Sequence, residues 1–249
     1  MIASPLDLSI IIPAYNEEKR LPRTLDRVRE YLKSHGGAAE VIVVDDGSKD
    51  GTANLVESRR AGWPELRLLK NPGNKGKGYT VRHGMLQARG KIVLFTDADL
   101  SAPIEEADKL LAALATHDIA IGSRGMDSKL IEVHQPWLRE KLGKFFNLVV
   151  RLVLRLPFSD TQCGFKAFGA ERSRIVFEQQ TLERFGFDPE LLFIARRHGL
   201  TVAEVPVRWA DDPGTRLNAL WDGPGAILEV LRVRWNSMVG RYPREPRSE

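Results

Sequence analysis

The sequence predicts an α/β fold built on a mostly parallel sheet flanked by helices. Three observations carry the prediction. Short apolar runs of strand length alternate with longer stretches of helical periodicity through the first half of the chain. The runs are continuously apolar, as befits strands buried on both faces. Each run then ends in polar residues, and in a doubly wound sheet with right-handed crossovers these endings gather at one edge.

Leu8 to Ile12 is the first strand, closed by Pro13, and Glu18 to Lys33 places Leu21, Leu25, Val28 and Leu32 on one helical face. Val41 to Val44 is the second strand; Asp45-Asp46-Gly47-Ser48 and a helix through Leu55 and Val56 follow it. Leu66 to Leu69 reads as a strand, Tyr79 to Arg89 as a helix, and Ile92 to Phe95 as a strand that runs into Thr96-Asp97-Ala98-Asp99. Pro103 to Leu114 is a helix, and Asp118 to Ile121 is a strand ending in Gly122-Ser123-Arg124. Over Pro136 to Leu156 the period is helical again: Lys141, Lys144, Arg151 and Arg155 share one face, and Leu142, Phe145, Val149, Leu152, Val153 and Leu156 the other. Ile227 to Arg241 sets Arg232, Arg234 and Trp235 among Leu228, Leu231, Val233 and Val239. Both segments have the form of basic amphipathic helices lying in a membrane interface. For the first, a helix packed on the sheet with its charged face in water is the alternative.

Composition bounds the function. The chain has 249 residues, 43% hydrophobic and 28% charged, enough for one large domain. That domain is expected over residues 1–240, with a nucleotide-binding half at about 1–125, an acceptor-facing half at about 126–240 and a flexible tail at 241–249. The single Cys163 excludes an intramolecular disulfide framework and points to a reducing compartment. The amino terminus lacks a basic stretch followed by an apolar core, and no uncharged apolar run reaches about 18 residues, so neither a signal peptide nor a transmembrane helix is expected. A net charge of +4 suggests anionic partners. Nucleic acid is disfavoured among them, because the basic residues interleave with aliphatic side chains and not with exposed aromatics. Oligomeric state is not legible.

The strand-end loops carry the chemistry. Asp97 and Asp99 either hold a hard divalent cation against a diphosphate or cap the helix that follows. Tyr15 and Glu17, after the first strand, suit a base and a hydrogen-bond donor, or simply start a helix. The carboxylates of Asp45 and Asp46 can accept from a base or ribose, or form a turn. Asn74-Lys75-Gly76-Lys77-Gly78 suits phosphate by charge and helix dipole, although such loops are also common solvated turns. Arg124 delivers a guanidinium fork suited to phosphate. Cys163 reads as a packing residue, with nothing placing a histidine beside it.

Pro13-Ala14-Tyr15-Asn16-Glu17, Val43-Val44-Asp45-Asp46-Gly47-Ser48, Asn74-Lys75-Gly76-Lys77-Gly78 and Asp97-Ala98-Asp99-Leu100-Ser101, in this order, resemble the family 2 glycosyltransferases of GT-A fold. Asp160-Thr161-Gln162-Cys163-Gly164-Phe165-Lys166 narrows the resemblance to the branch that glycosylates polyprenyl phosphates, particularly dolichyl-phosphate β-glucosyltransferases. The likeness spans roughly Leu8 to Arg216. It implies that Pro13, Tyr15, Glu17, Asp45 and Asp46 hold base and ribose, that Ala98 lines the same donor site, and that Asp97 and Asp99 hold Mg²⁺ or Mn²⁺. Lys77 then approaches the donor, and Arg216, in a late loop where the family has lysine, stands over the diphosphate.

On the acceptor side, Arg124 and Arg139 are expected to hold the phosphate, and Gln162, Lys166, Asp188 and Glu190 to shape the sugar or acceptor pocket. The activity so implied is inverting transfer of a hexose, glucose from UDP-glucose, to a polyprenyl (dolichyl or undecaprenyl) phosphate. A lipid phosphate is already anionic near pH 7, so it needs positioning and no general base. Such a protein works in the cytoplasm, peripherally attached to the cytoplasmic face of a membrane. Open alternatives are a GDP-mannose-dependent mannosyltransferase, a glycan-extending transferase with Asp188 as base, and a non-catalytic or nucleotidyltransferase-like binder.

Overall fold

The computed structural model describes residues 6–133, 135–212 and 219–243, with the side chains of 219–224 outside the description. In chain order the elements are β1 (Leu8–Ala14), α1 (Leu21–His35), β2 (Ala39–Asp45), α2 (Thr52–Arg60), β3 (Leu66–Lys70), α3 (Lys77–Gln87), β4 (Ile92–Thr96), α4 (Ala107–Ala113) and β5 (Ile119–Ser123). There follow β6 (Ile131–Val133), α5 (Trp137–Leu154), β7 (Phe165–Gly169), α6 (Ala170–Gln179), α7 (Phe187–Arg197), β8 (Val202–Pro206), β9 (Trp209–Ala210) and α8 (Ala219–Met238).

Strand periodicity divides the core into two layers. Ile10 and Ile12 of β1 and Val41 and Val43 of β2 face α1, where Leu21, Leu25 and Val28 meet them. Ile11, Ile42 and Val44 face the opposite layer, with Val81 and Met85 of α3 and Phe187, Leu191 and Leu192 of α7. All three isoleucines of β1 are fully buried, each contributing about 1.5–3 kcal/mol relative to exposure. A strand apolar on both faces can only be central, which is where β1 lies.

Among the described residues, seven strands form one sheet in the order β3-β2-β1-β4-β7-β5-β8. β3, β2, β1 and β4 are mutually parallel, and β5 is parallel to β8. The mostly parallel sheet flanked by helices is therefore borne out, with one departure: β7 runs antiparallel between β4 and β5. The sequence reading quoted Phe165 and Lys166 only as part of a motif and assigned no strand there. Lys166 sits mid-strand with its side chain wholly buried, and the charge hides the strand's apolar period. Strands from both 1–125 and 126–240 thus share one sheet.

Other boundaries shift for local reasons. The first helix begins at Leu21, with Pro22 in its opening turn, because the Glu17 carbonyl accepts from the amides of Arg20 and Leu21 and makes a separate turn first. The stretch after Pro103 opens as a 3₁₀ turn, Ile104–Glu106, before α4. Helix α8 starts earlier than expected and ends at Met238. The segment expected to be a flexible tail opens with an anchor: Tyr242 is fully buried, and its hydroxyl donates to Glu190 Oε1 at 2.7 Å. Residues 244–249 lie outside the described residues.

The face assignment for α5 also needs correction. Val150 and Leu154 are its buried residues, whereas Phe145 and Leu152, expected opposite the cations, are exposed alongside Lys141, Lys144 and Arg151. Packing against α8 turns the helix so that its mixed apolar and basic stripe faces outward. Leu228, Leu231, Trp235 and Met238 of α8 are exposed as well. No helix among the described residues is long and apolar enough to cross a membrane.

Candidate active site

Parallel strands that end together create a crevice at their carboxyl edge, widest where the strand order reverses, here between β1 and β4. A cleft of about 800 Å³ lies there. Pro13 and Tyr15 enter from the end of β1, Asp46 from β2, Asp97, Ala98 and Asp99 from β4, and Arg124 from β5. Strain concentrates at the same edge. Asn16 and Leu100 adopt left-handed backbone (φ 53° and 50°), which costs roughly 1–2 kcal/mol each for residues carrying Cβ. Hydrogen bonds offset it: Asn16 N donates to Ser48 Oγ at 2.8 Å, and Leu100 N to the Asp97 carbonyl at 3.2 Å.

The capping alternative for the two acids fails. The turn after Asp99 has Pro103 at its N-cap, α4 has Glu106, and neither is capped by a side chain. Asp99 Oδ1 instead accepts from Ser101 N at 2.9 Å, and Asp97 Oδ1 pairs with Lys77 Nζ at 2.6 Å. Burial, and after it the neighbouring Asp97 charge, raise the Asp99 carboxyl above its ordinary range. Two crowded carboxylates in a cleft are the oxygen donors a hard divalent cation relieves, so the residues fit Mg²⁺ or Mn²⁺.

Arg20, which sequence reading missed, stands over this end of the cleft. It pairs with both Glu17 oxygens (2.6 and 2.7 Å) and reaches Asp212 at 3.4 Å and Asp99 at 3.9 Å. The Glu17 hydrogen bonds, against burial, hold the guanidinium charge more firmly than usual. Its three-residue spacing from Glu17 was the available signal.

The loop before α3 is used differently from the phosphate cradle expected. Asp46, buried, accepts from Asn71 Nδ2 (2.8 Å), Lys75 N (2.9 Å) and Gly76 N (2.9 Å). Tyr79 N donates to the Glu183 carbonyl. These amides serve the protein, and the Lys77 side chain is what the loop delivers to the cleft. Burial opposes the Lys77 charge, but Asp97 and Asp188 outweigh it and raise its pKa. Gly76 holds φ +100°, and a Cβ there would meet Glu183 O at 2.5 Å.

At the other end, Arg124 is clamped by Asp160: Nε to Oδ2 at 2.6 Å, Nη2 to Oδ1 at 3.0 Å, and its own amide to Oδ2 at 3.1 Å. Despite burial, the Arg124 charge holds the Asp160 carboxyl down at about 2. Trp209 lies 5.2 Å from the guanidinium as a cation–π partner. Gln162 Nε2 is buried in the cleft wall without a hydrogen-bond partner among the described residues. Arg139 lines the cleft and reaches Asp211 at 3.4 Å. Leu142, Phe145 and Phe146 of α5 and Ile227 of α8 make this end apolar.

Four expected residues do not line the cleft. Asp45 accepts from Ser48 N and closes a turn. Lys166 is fully buried, donating to Cys163 O and Asp188 Oδ1, each at 2.5 Å, beneath the Asp160–Gly164 turn. Burial raises the Asp188 carboxyl against the pull of Lys166. Glu190 accepts from Thr181 N, Thr181 Oγ1, Leu182 N and Tyr242, and burial raises its pKa. Both acids are turned into the protein because α7 lays its first turn on the core. Arg216 lies outside the described residues. Burial pushes the Cys163 thiol up to about 12, in keeping with a packing role. Gly164 backs directly onto Asp97, where any Cβ would strike the carboxylate. Among the described residues no group of three or more His, Cys, Asp or Glu side chains is arranged to hold a metal.

Comparison with known proteins gives the same direction. The sequence model of glycosyl transferase family 2 matches residues 9–168. The dolichyl-phosphate β-glucosyltransferase of Drosophila melanogaster is 39% identical over 253 residues, covering 95% of this chain and 77% of that one. The human enzyme of that name is 33% identical over 252 residues, covering 96% and 78%. Among solved structures, mannosyl-3-phosphoglycerate synthase from Rubrobacter xylanophilus superposes with a TM-score of 0.68 at 17% identity, covering 98% of this chain and 78% of that one. Glucosyl-3-phosphoglycerate synthase from Mycobacterium tuberculosis, crystallised with Mn²⁺, UDP and glucosyl-3-phosphoglycerate, gives 0.62 at 20% identity, covering 97% and 82%. The two structures bear out the GT-A fold.

Proposed function

The chain belongs to glycosyl transferase family 2, and from that premise we propose that it moves glucose from UDP-glucose to dolichyl phosphate with inversion at the anomeric carbon. It is a glycosyltransferase. The observation that carries the specific reading is the polarity of the cleft, acidic with one lysine at the β1–β4 end and apolar around a clamped arginine at the other.

In this reading Tyr15 and Pro13 flank the base, and Asp46 and Glu17 accept from base and ribose. Asp97 and Asp99 would hold a Mg²⁺ or Mn²⁺ ion, which when bound would supply charge neutralisation for the departing diphosphate. Lys77, paired with Asp97, adds a cation at the same place, and Arg20 keeps Glu17 and Asp99 in register. Arg216 would add its charge over the diphosphate. The orphaned Gln162 Nε2 is supplied to donate to a sugar hydroxyl.

Arg124 and Arg139 orient the acceptor phosphate. One of its oxygens attacks the anomeric carbon, the bond from that carbon to the diphosphate oxygen breaks, and the electron pair leaves with UDP. No proton has to be removed from a phosphate monoester anion, which agrees with Asp188 and Glu190 being turned into the core. The prenyl chain leaves past Leu142, Phe145, Phe146 and Ile227. There the exposed Trp137, Leu148, Leu152 and Trp235, interleaved with Lys141, Lys144, Arg151 and Arg232, rest on the cytoplasmic face of a membrane.

The test is incubation of the purified chain with Mg²⁺ or Mn²⁺, dolichyl phosphate in vesicles and labelled UDP-glucose or GDP-mannose. Label from UDP-glucose should pass to the lipid in a metal-dependent manner. Transfer from GDP-mannose alone, or to a soluble glycan alone, would overturn the reading.

A further inference from the structure

Behind Asp46 runs a hydrogen-bond chain that reaches a histidine outside the cleft. Asp46 Oδ1 accepts from Asn71 Nδ2 at 2.8 Å, and the same amide donates to Thr80 Oγ1 at 3.0 Å. Thr80 Oγ1 in turn donates to the Gly76 carbonyl at 2.8 Å. Asn71 Oδ1 lies 2.8 Å from Nδ1 of His83, one turn further along α3. Asp46, Asn71 and Thr80 are each more than nine-tenths buried.

The directions in this chain are forced. Thr80 Oγ1 gives its hydrogen to the Gly76 carbonyl and therefore accepts from Asn71, so the Asn71 atom facing Thr80 and Asp46 is the amide nitrogen, and the atom facing His83 is the oxygen. That oxygen only accepts, so His83 Nδ1 carries a hydrogen. His83 is also held close by the edge of Tyr79, with ring centroids 6.3 Å apart. Without the His83 donor, the buried Asn71 Oδ1 loses this hydrogen bond, and the amide is held only from its nitrogen end, by Asp46 and Thr80. Asp46 is in turn what holds the Lys75 and Gly76 amides and so aims Lys77 at Asp97.

We propose that His83 is a positioning residue for the donor, acting through Asn71 to orient Asp46 and the loop that carries Lys77. The inference rests on the reading of this end of the cleft as the nucleotide-sugar site. His83 never touches the donor, so its loss weakens donor binding while leaving the acceptor end, with Arg124 and Arg139, untouched.

The test uses the 249-residue chain with UDP-glucose and Mn²⁺. His83→Leu removes the donor, whereas His83→Asn places an amide N–H near the position of Nδ1. Titration calorimetry should show His83→Leu weakening UDP-glucose by about tenfold, the worth of one buried hydrogen bond. His83→Asn should stay within about threefold of the unsubstituted chain, and the KM for dolichyl phosphate should be unchanged in both. Nitrogen-15 NMR of the unsubstituted chain should show His83 as the Nδ1–H tautomer. The proposal is overturned by any of three results: His83→Leu binding UDP-glucose as tightly as the unsubstituted chain, the two variants losing affinity equally, or His83 present as the Nε2–H tautomer. If His83→Leu does not fold, the tautomer and His83→Asn decide. An unsubstituted chain that binds no UDP-glucose overturns the donor reading itself, an outcome distinct from those three.

Discussion

Asp160→Asn tests the clamp on Arg124 with little change of shape. The aspartate is ionised at neutral pH, held from an ordinary value of 3.8 down to about 2, chiefly by Arg124 acting against burial. At about 1.36 kcal/mol per pH unit this difference corresponds to roughly 2–3 kcal/mol. Removing one partner of a buried pair costs about 3–5 kcal/mol, because the other charge is left uncompensated. A loss of about 3 kcal/mol should lower Tm by roughly 6–12 °C in a chain of this size. The pH dependence follows from the direction of the shift. A depressed carboxyl stabilises the fold above its unfolded pKa, and that stabilisation is lost as pH falls through the folded value. The stability gap between the unsubstituted chain and Asp160→Asn should therefore be full at pH 7 and 5 and about half as large at pH 3. Urea unfolding at the three pH values measures it, and the lipid-phosphate KM should rise more than the donor KM. A gap under about 1 kcal/mol at pH 7, or one that does not shrink at pH 3, would refute the clamp.

Further outcomes follow from the same geometry. Asp99→Asn should abolish metal-stimulated turnover, and Mn²⁺ binding followed by calorimetry should weaken in parallel. Asp188→Asn leaves Lys166 unpaired and should cost about 3 kcal/mol or more in urea unfolding. Even so, folded Asp188→Asn and Glu190→Gln should each retain turnover on lipid phosphate; loss of turnover in both with donor binding intact would restore a general base. Gly164→Ala should depress kcat at least tenfold by displacing Asp97, with the fold retained by circular dichroism. Replacing exposed Leu152 and Trp235 together by serine should release the chain from vesicles in a flotation assay without reducing UDP-glucose affinity.

The fold was legible wherever burial is continuous. Ile10 to Ile12 and Val41 to Val44 are fully buried runs, and no other element type of that length fits them so well. Strand β7 was not, because Lys166 lies within it and the carboxylate that compensates it is 22 residues away. The acids at strand ends were equally plain, since an exposed edge receives whatever follows an apolar run. What the sequence could not reveal were partners brought together by tertiary packing. Asp160 meets Arg124 across 36 residues, and Asp46 accepts from the backbone of a loop 29 residues on. Asp188 and Glu190 were misplaced for a related reason: the direction in which the first turn of α7 faces is set by packing on the core.

In the proposed reaction a phosphate oxygen of the lipid attacks the sugar without a base. Offering the purified chain labelled UDP-glucose with dolichyl phosphate or with dolichol, the same lipid bearing a free hydroxyl, and determining the mass of each product tests this. A glucosyl phosphate lipid from the first and no product from the second is the predicted result. Glucosylation of dolichol at a comparable rate would contradict it.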